Sequence, residues 1–171
     1  MKNILKSVLL SASVILTSFV NAQTSDVVDV AMSSKDHTTL VAAVKAADLV
    51  ATLKGKGPFT VFAPSNSAFD KLPKGTVENL LKPESKAALV KLLTYHVVSG
   101  KLMASDVLAA IKAGKGKAVV KTIQGEDLTA TLVDGKVILT DAKGGKSTVT
   151  AADLNATNGV VHVIDSVVMP K

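Results

Sequence analysis

Three absences narrow this 171-residue chain before any motif is read. It has no cysteine, so disulfide staples, thiolate ligands and thiol redox chemistry are excluded and the fold has to be held by its core. It has no arginine, and all 20 of its basic side chains are lysine; the planar fork that recognises phosphates and base edges bidentately is missing. It has no tryptophan and one tyrosine, which leaves little for stacking on exposed bases. The formal charge of +6 therefore does not point to nucleic acid. Lys112, Lys115, Lys117 and Lys121 read as a solvated loop and strand edge, with room for weak attraction to anionic membranes or polysaccharides.

What is present begins with an export signal. Lys2 and Lys6 precede a mostly apolar run from Val8 to Val20, and the small or polar Asn21, Ala22 and Gln23 follow. That is the three-part plan of a secretory signal peptide, expected here over residues 1–22 with cleavage after Ala22. The run is interrupted by Ser11, Ser13, Thr17 and Ser18 and is shorter than the ~20 residues that span a bilayer, so no transmembrane segment is expected once the leader is removed. A short leader of this kind suggests a bacterial protein, secreted or periplasmic. The mature chain, residues 23–171, has the usual size of one domain.

Along that chain the hydrophobic period changes. Leu40, Val41, Val44 and Ala47 fall at helical spacing, with Thr38 or Thr39 available to open the turn and Gly55-Lys-Gly-Pro58 to end it. Phe59 to Ala63 suits a buried strand ended by Pro64, and Ser65-Asn66-Ser67 is placed to cap a short helix through Phe69. Pro83 starts a helix over Glu84 to Tyr95, where Leu89, Leu92, Leu93 and His96 form one stripe. Ser105 and Asp106 open another through Ile111. After Gly114-Lys-Gly116 the pattern turns to strands. Leu128 to Val133 and Lys136 to Thr140 flank Asp134-Gly135, the pair a type I′ hairpin turn asks for. Gly144-Gly145 marks a further turn, and Asn158-Gly159 precedes a last strand from Val160 to Met169. Helices ahead of antiparallel strands make an α+β domain.

No catalytic set assembles from these pieces. His37, His96 and His162 are the only histidines, none in the HExxH spacing of a zinc helix, and no G-x-S-x-G elbow presents a nucleophile. Gly144-Gly145-Lys146-Ser147 ends like a phosphate loop but lacks its first glycine and leads into a β pattern, so it reads as a turn. Asn155-Ala156-Thr157 fits a glycosylation sequon. His162 shares a strand face with Val160 and Ile164 and reads as a core or edge histidine; His96 closes the helical stripe and reads as structural. The expectation is no catalytic residue, no metal site and no cofactor.

Three segments carry a family resemblance: Thr60-Val-Phe-Ala-Pro-Ser-Asn-Ser-Ala-Phe69, Leu92-Leu-Thr-Tyr-His-Val-Val98 with Gly100-Lys-Leu102, and Asn158-Gly-Val-Val-His-Val-Ile-Asp-Ser-Val-Val-Met-Pro170. In this order and spacing they resemble the fasciclin domain. The resemblance implies a wedge-like β-sandwich of about seven strands packed with several helices. It also implies a secreted or surface-attached protein of adhesion, matrix or biofilm contact, whose partner is a protein or polysaccharide surface. In animal members the Tyr-His segment is tied to integrin contact; Tyr95 and His96 match it, which makes them the partner-binding residues the resemblance implies. Some members are similar to carriers of carotenoids or lipids, so the alternative expectation is a carrier of an apolar small molecule in a crevice between helices and sheet.

Overall fold

The computed structural model describes residues 25–171, so the leader expected over residues 1–22 lies outside the described residues. The first helix, α1 (Val27–Ser33), is opened by Asp26, whose carboxylate accepts from the Val28 and Asp29 amides at 2.9 Å while Asp29 returns a bond to the Asp26 amide. That reciprocal cap satisfies amides a helix start leaves unpaired. A one-turn 3₁₀ segment over Lys35–His37 leads to α2 (Thr38–Ala46), which buries Leu40, Ala43 and Val44, and then to α3 (Val50–Leu53). The single helical pattern of the sequence is broken at Asp48, where φ is 57°.

Strand β1 (Phe59–Pro64) is followed by α4 (Asn66–Asp70) and α5 (Thr76–Leu80). The helix expected from Glu84 opens as a 3₁₀ turn at Pro83–Ser85 and becomes α6 over Lys86–Tyr95. Then come β2 (Val97–Ser99), α7 (Ala104–Ala113), β3 (Lys117–Lys121), β4 (Asp127–Val133), β5 (Lys136–Thr140), β6 (Lys146–Ala156) and β7 (Gly159–Ile164). The hairpin turn between β4 and β5 has φ of 50° at Asp134 and 76° at Gly135, both positive as a type I′ turn requires.

The seven strands run in the order β2-β1-β7-β6-β5-β4-β3. A bridge from Val98 to Thr122 nearly closes the two ends. The arrangement is α+β, as expected, but the sheet is mixed: β1 and β7 pair in parallel, from Phe59 opposite Gly159 to Pro64 opposite Ile164. No hairpin joins these two strands, so no turn signal reveals their direction. The last strand also ends early, at Ile164 instead of Met169. There the Asp165 carboxylate accepts the Thr148 amide at 2.8 Å and Ser166 turns to the Ser147 hydroxyl, which takes the chain out of the sheet.

Alternation along β1 and β7 divides the interior in two. Val61, Ala63 and Val161 face α1, α2 and α6 and share a core with Val27, Leu40 and Leu93. Phe62 and Ile164 face inward with Leu128, Ala130, Leu139 and Ile111. The glycine at the head of β7 permits this contact: a β-carbon on Gly159 would lie 2.0 Å from the Phe59 carbonyl oxygen. One expected cap is rearranged. Ser65 precedes α4, but its hydroxyl meets that of Ser67 at 2.9 Å. Its neighbour Asn66 does the capping, and of a different helix: its amide oxygen accepts from the Thr39 amide at 3.0 Å at the start of α2.

Candidate functional site

Tyr95 and His96, the pair the resemblance singles out, stand where α6 runs into β2, and both are buried, 0% and 2% exposed. Burial forces their polar atoms to find partners inside the fold. The Tyr95 hydroxyl donates to the Asp127 carbonyl and accepts from the Ala142 amide, each at 3.0 Å. Burial is the main effect raising its phenol above the usual range, with the Ala142 amide working against it. The His96 Nε2 accepts from the Val168 amide at 3.3 Å, so the proton sits on Nδ1, which donates to the Leu92 carbonyl at 2.8 Å. Burial pushes this imidazole down to about 4, against the opposing effects of the Leu92 carbonyl and the Asp141 carboxylate.

Asp141 completes the cluster. Its Oδ1 accepts the amides of Lys143 and Gly145 at 2.9 and 2.7 Å, and its Oδ2 accepts that of Met169 at 2.8 Å. Together the three side chains tie the end of α6 to the start of β4, the β5–β6 turn and the C-terminal segment. His162, on β7, does comparable work. Its Nδ1 accepts from the Asp153 amide at 3.2 Å, which leaves Nε2 to donate to the Leu102 carbonyl at 2.7 Å. Its ring stacks on Phe62 with centroids 5.7 Å apart. Asp153 in turn accepts the first amide of α7, at Ala104, at 2.7 Å.

Two recesses lie on the helical side of the sheet. One is a small apolar recess under α1, walled by Val28, Leu40, Val44, Leu53, Val61 and Leu93 and holding about 30 Å³. That is well short of the ~300 Å³ at which small-molecule sites begin. The other is an open groove of about 560 Å³, bounded by α1, the Asp36-His37 turn and Ser65–Ser67, with a floor of Ala151, Leu154, Val161 and Val163. Two register shifts in the β6–β7 pairing, between Val149 and Ala151 and between Ala151 and Leu154, fall at this floor.

Two residues here carry more than sequence reasoning gave them. Asn158, read only as preceding the last strand and opening the third family segment, accepts the Val27 amide at 2.9 Å and donates to the Leu53 and Gly55 carbonyls at 2.7 and 3.0 Å, pinning α1 and α3 to β7. His37 borders the groove and is 4% exposed. Neither of its ring nitrogens has a hydrogen-bond partner among the described residues. Burial lowers its affinity for a proton; the Asp36 carboxylate and the nearby Ala63 carbonyl weigh the other way without meeting the ring in bonding geometry. No spacing around a lone histidine announces such a position.

Among the described residues no group of three or more acidic or histidine side chains is arranged to hold a metal ion, and no helix is long and apolar enough to cross a membrane. Lys112, Lys115, Lys117 and Lys121 are exposed, on α7, the turn after it and β3.

Residues 35–170 match the family model of the fasciclin domain. The chain is 54% identical over 144 residues to Protein sll1483 of Synechocystis sp., covering 84% of this chain and 73% of that one. It is 35% identical over 157 residues to Immunogenic protein MPB70 of Mycobacterium bovis, covering 88% and 72%. It is also 35% identical over 144 residues to Transforming growth factor-beta-induced protein ig-h3 of Sus scrofa, where it spans 84% of its own length and 19% of that much longer protein. The fold is shared with a FAS1 domain pair from the insect cell adhesion molecule Fasciclin I, at a TM-score of 0.57 and 22% identity over 74% of this chain and 42% of that one.

Proposed function

The chain belongs to the fasciclin domain family, and on that premise we propose that it is an exported interaction protein that supports adhesion, surface or matrix contact by non-covalent binding. The observation that carries this reading is the commitment of its buried chemistry. Tyr95, His96, Asp141, Asn158 and His162 are each spent on main-chain partners that join distant segments. Such groups build a rigid surface and are not free to act on a substrate. We assign the protein no catalytic activity. Its place is the periplasm or the extracellular space, in keeping with relatives whose names speak of the cell surface and of cell adhesion.

Within this proposal Tyr95 and His96 serve partner contact by positioning it. A direct touch would require the segment to leave the core, whereas in place the pair fixes the β5–β6 turn, exposed at Lys143, Gly144 and Gly145, and the C-terminal segment that packs beneath it. The partner is a protein or polysaccharide surface. A strain lacking the gene should adhere and aggregate less than its parent, and regain both on complementation; equal adherence by the two would count against the reading.

A second reading, a carrier of an apolar small molecule, draws support from the open groove. Its volume of about 560 Å³ lies within the ~300–1,000 Å³ of small-molecule sites.

A further inference from the structure

Strands β3 to β6 leave one face of their sheet uncovered. Side chains alternate across a strand, and one set turns inward, where Ala118, Leu128, Ala130 and Leu139 are buried with Val107 and Ile111 of α7. The other set lies outside. Its central row runs from Val119 on β3 through Thr129 and Thr140 to Lys146 on β6, and the row beside it starts at Lys117 and ends at Ile138 and Thr148. No side chain in these rows is buried, and Val119 is 58% exposed.

The charge on this face is one-sided. Lys117, Lys121, Lys136 and Lys146 have no ion pair or side-chain hydrogen bond among the described residues, whereas Lys54, Lys71, Lys86 and Lys91 each meet a carboxylate. The acids of this half are engaged elsewhere: Asp141 accepts three amides, Asp153 holds the start of α7, and Glu126 and Asp165 pair with Lys91 and Lys71. Asp127 on the face and Asp134 at the hairpin tip are what remains against the four lysines. Lys117 and Lys121 stand ~13 Å apart along β3, and Lys146 is three strand spacings, ~14 Å, across the sheet. That spread is too wide to enclose one small anion and suits a chain of repeated negative charges. Between the lysines, the hydroxyls of Thr129, Thr140 and Thr148 have no partner among the described residues, and a hydroxyl both donates and accepts, as sugar hydroxyls do. The face carries no arginine and no aromatic ring for stacking bases, and no leucine or aromatic anchor of the kind that sinks into a lipid interface.

We infer that the outer face of β3 to β6 is the contact surface for an acidic polysaccharide, with the lysines pairing its carboxylates and the threonines its hydroxyls. The inference rests on the interaction reading and names the surface and the chemistry of the partner. Without an aromatic platform each sugar adds little, so affinity comes from many weak contacts along a long polymer.

The test measures binding of the mature protein to immobilised polygalacturonate, with dextran as the neutral polymer, polyglutamate as the acidic chain without hydroxyls, and vesicles of phosphatidylglycerol and phosphatidylcholine in equal parts as the lipid surface. Polygalacturonate should bind saturably and more tightly than the other three, and lose its hold at about 1 M salt, where charges are screened beyond ~3 Å. Lys117→Gln, Lys121→Gln and Lys146→Gln together should weaken it about tenfold. The same change at Lys35, Lys74 and Lys82, exposed and unpaired in the helical half of the chain, should leave it within about twofold, and both triples should keep the parental urea midpoint. Thr129→Val with Thr140→Val, which keeps the shape and removes two hydroxyls, should weaken it about threefold or more. Failure to bind polygalacturonate overturns the inference, as does an equal loss in the two lysine triples. Vesicles or polyglutamate held as tightly as polygalacturonate, or a threonine pair without effect, would mean that charge alone acts and would also overturn it. Beads coated with the Lys117, Lys121 and Lys146 triple that bind host cells as well as parental beads would overturn this surface while leaving the interaction reading standing.

Discussion

Lowering the pH should loosen this domain well before its carboxylates protonate, and His96 is the reason. The buried ring accepts the Val168 amide through Nε2 and donates to Leu92 through Nδ1. A second proton would set an N–H against the Val168 N–H and place a charge on a fully buried ring, where desolvation opposes it. The imidazole is accordingly pushed down to about 4 from an ordinary 6.5. In the unfolded chain it takes its proton near 6.5, so between those values the unfolded state binds more protons and stability falls as pH falls. The contribution is complete above about pH 6.5 and mostly gone at about 4. Some 2.5 pH units at 1.36 kcal/mol each come to about 3 kcal/mol, a large share of the ~5–15 kcal/mol that holds a typical domain together. His37, also lowered by burial, acts in the same direction. Asp29 and Glu126, held below the ordinary carboxylate range chiefly by Lys54 and by the Lys171 amide, contribute stability that is lost only at lower pH still. Urea unfolding at half-unit steps from pH 7.5 to 4.5 reads the slope, with His37→Phe as the background that isolates His96. An NMR titration of the His96 ring gives its folded pKa directly. A midpoint that stays flat over this range, or a His96 that titrates at 6.5 or above, would refute the reasoning.

Two further perturbations probe the same framework. Tyr95→Phe keeps the packing but strands the Asp127 carbonyl and the Ala142 amide, so it should cost ~1–3 kcal/mol in urea unfolding; a cost under about 0.5 kcal/mol, the size of an ordinary surface change, would mean that the hydroxyl is not the link described. Gly159→Ala drives a β-carbon to within 2.0 Å of the Phe59 carbonyl and should cost more than about 4 kcal/mol or prevent folding. A Gly159→Ala protein with parental thermal stability would show that β1 and β7 do not approach as closely as described.

What could be read in advance was whatever local period and local turn chemistry determine. The stripe of Leu89, Leu92 and Leu93 placed α6 against the core, and Asp134-Gly135 placed a hairpin, because each signal acts within a few residues. The parallel pairing of β1 with β7 depends on contacts between opposite ends of the domain and leaves no local mark beyond the apolar runs themselves. The same limit explains the caps: Ser65 fits the preference for a helix start, but the fold brings Asn66 to a helix whose first turn lies 27 residues earlier. For the candidate site, the sequence read His96 and His162 as structural from their places on apolar faces, and the structure ties each ring to main-chain partners. It gave no indication of His37, whose isolation is a matter of which carbonyls fail to reach it, and it underrated Asn158, whose three bonds go to segments more than 100 residues away.

The central claim is that this domain works by holding on to another surface. The direct test is to coat beads with the mature protein purified from its own host and measure their binding to cells of that host, with beads bearing an inert protein of similar charge as the reference. Saturable binding, competed by free protein and weakened in Tyr95→Phe beads to the extent that the β5–β6 turn loosens, is the expected result. Coated beads that bind no better than the reference, at low and at physiological salt, would contradict the claim.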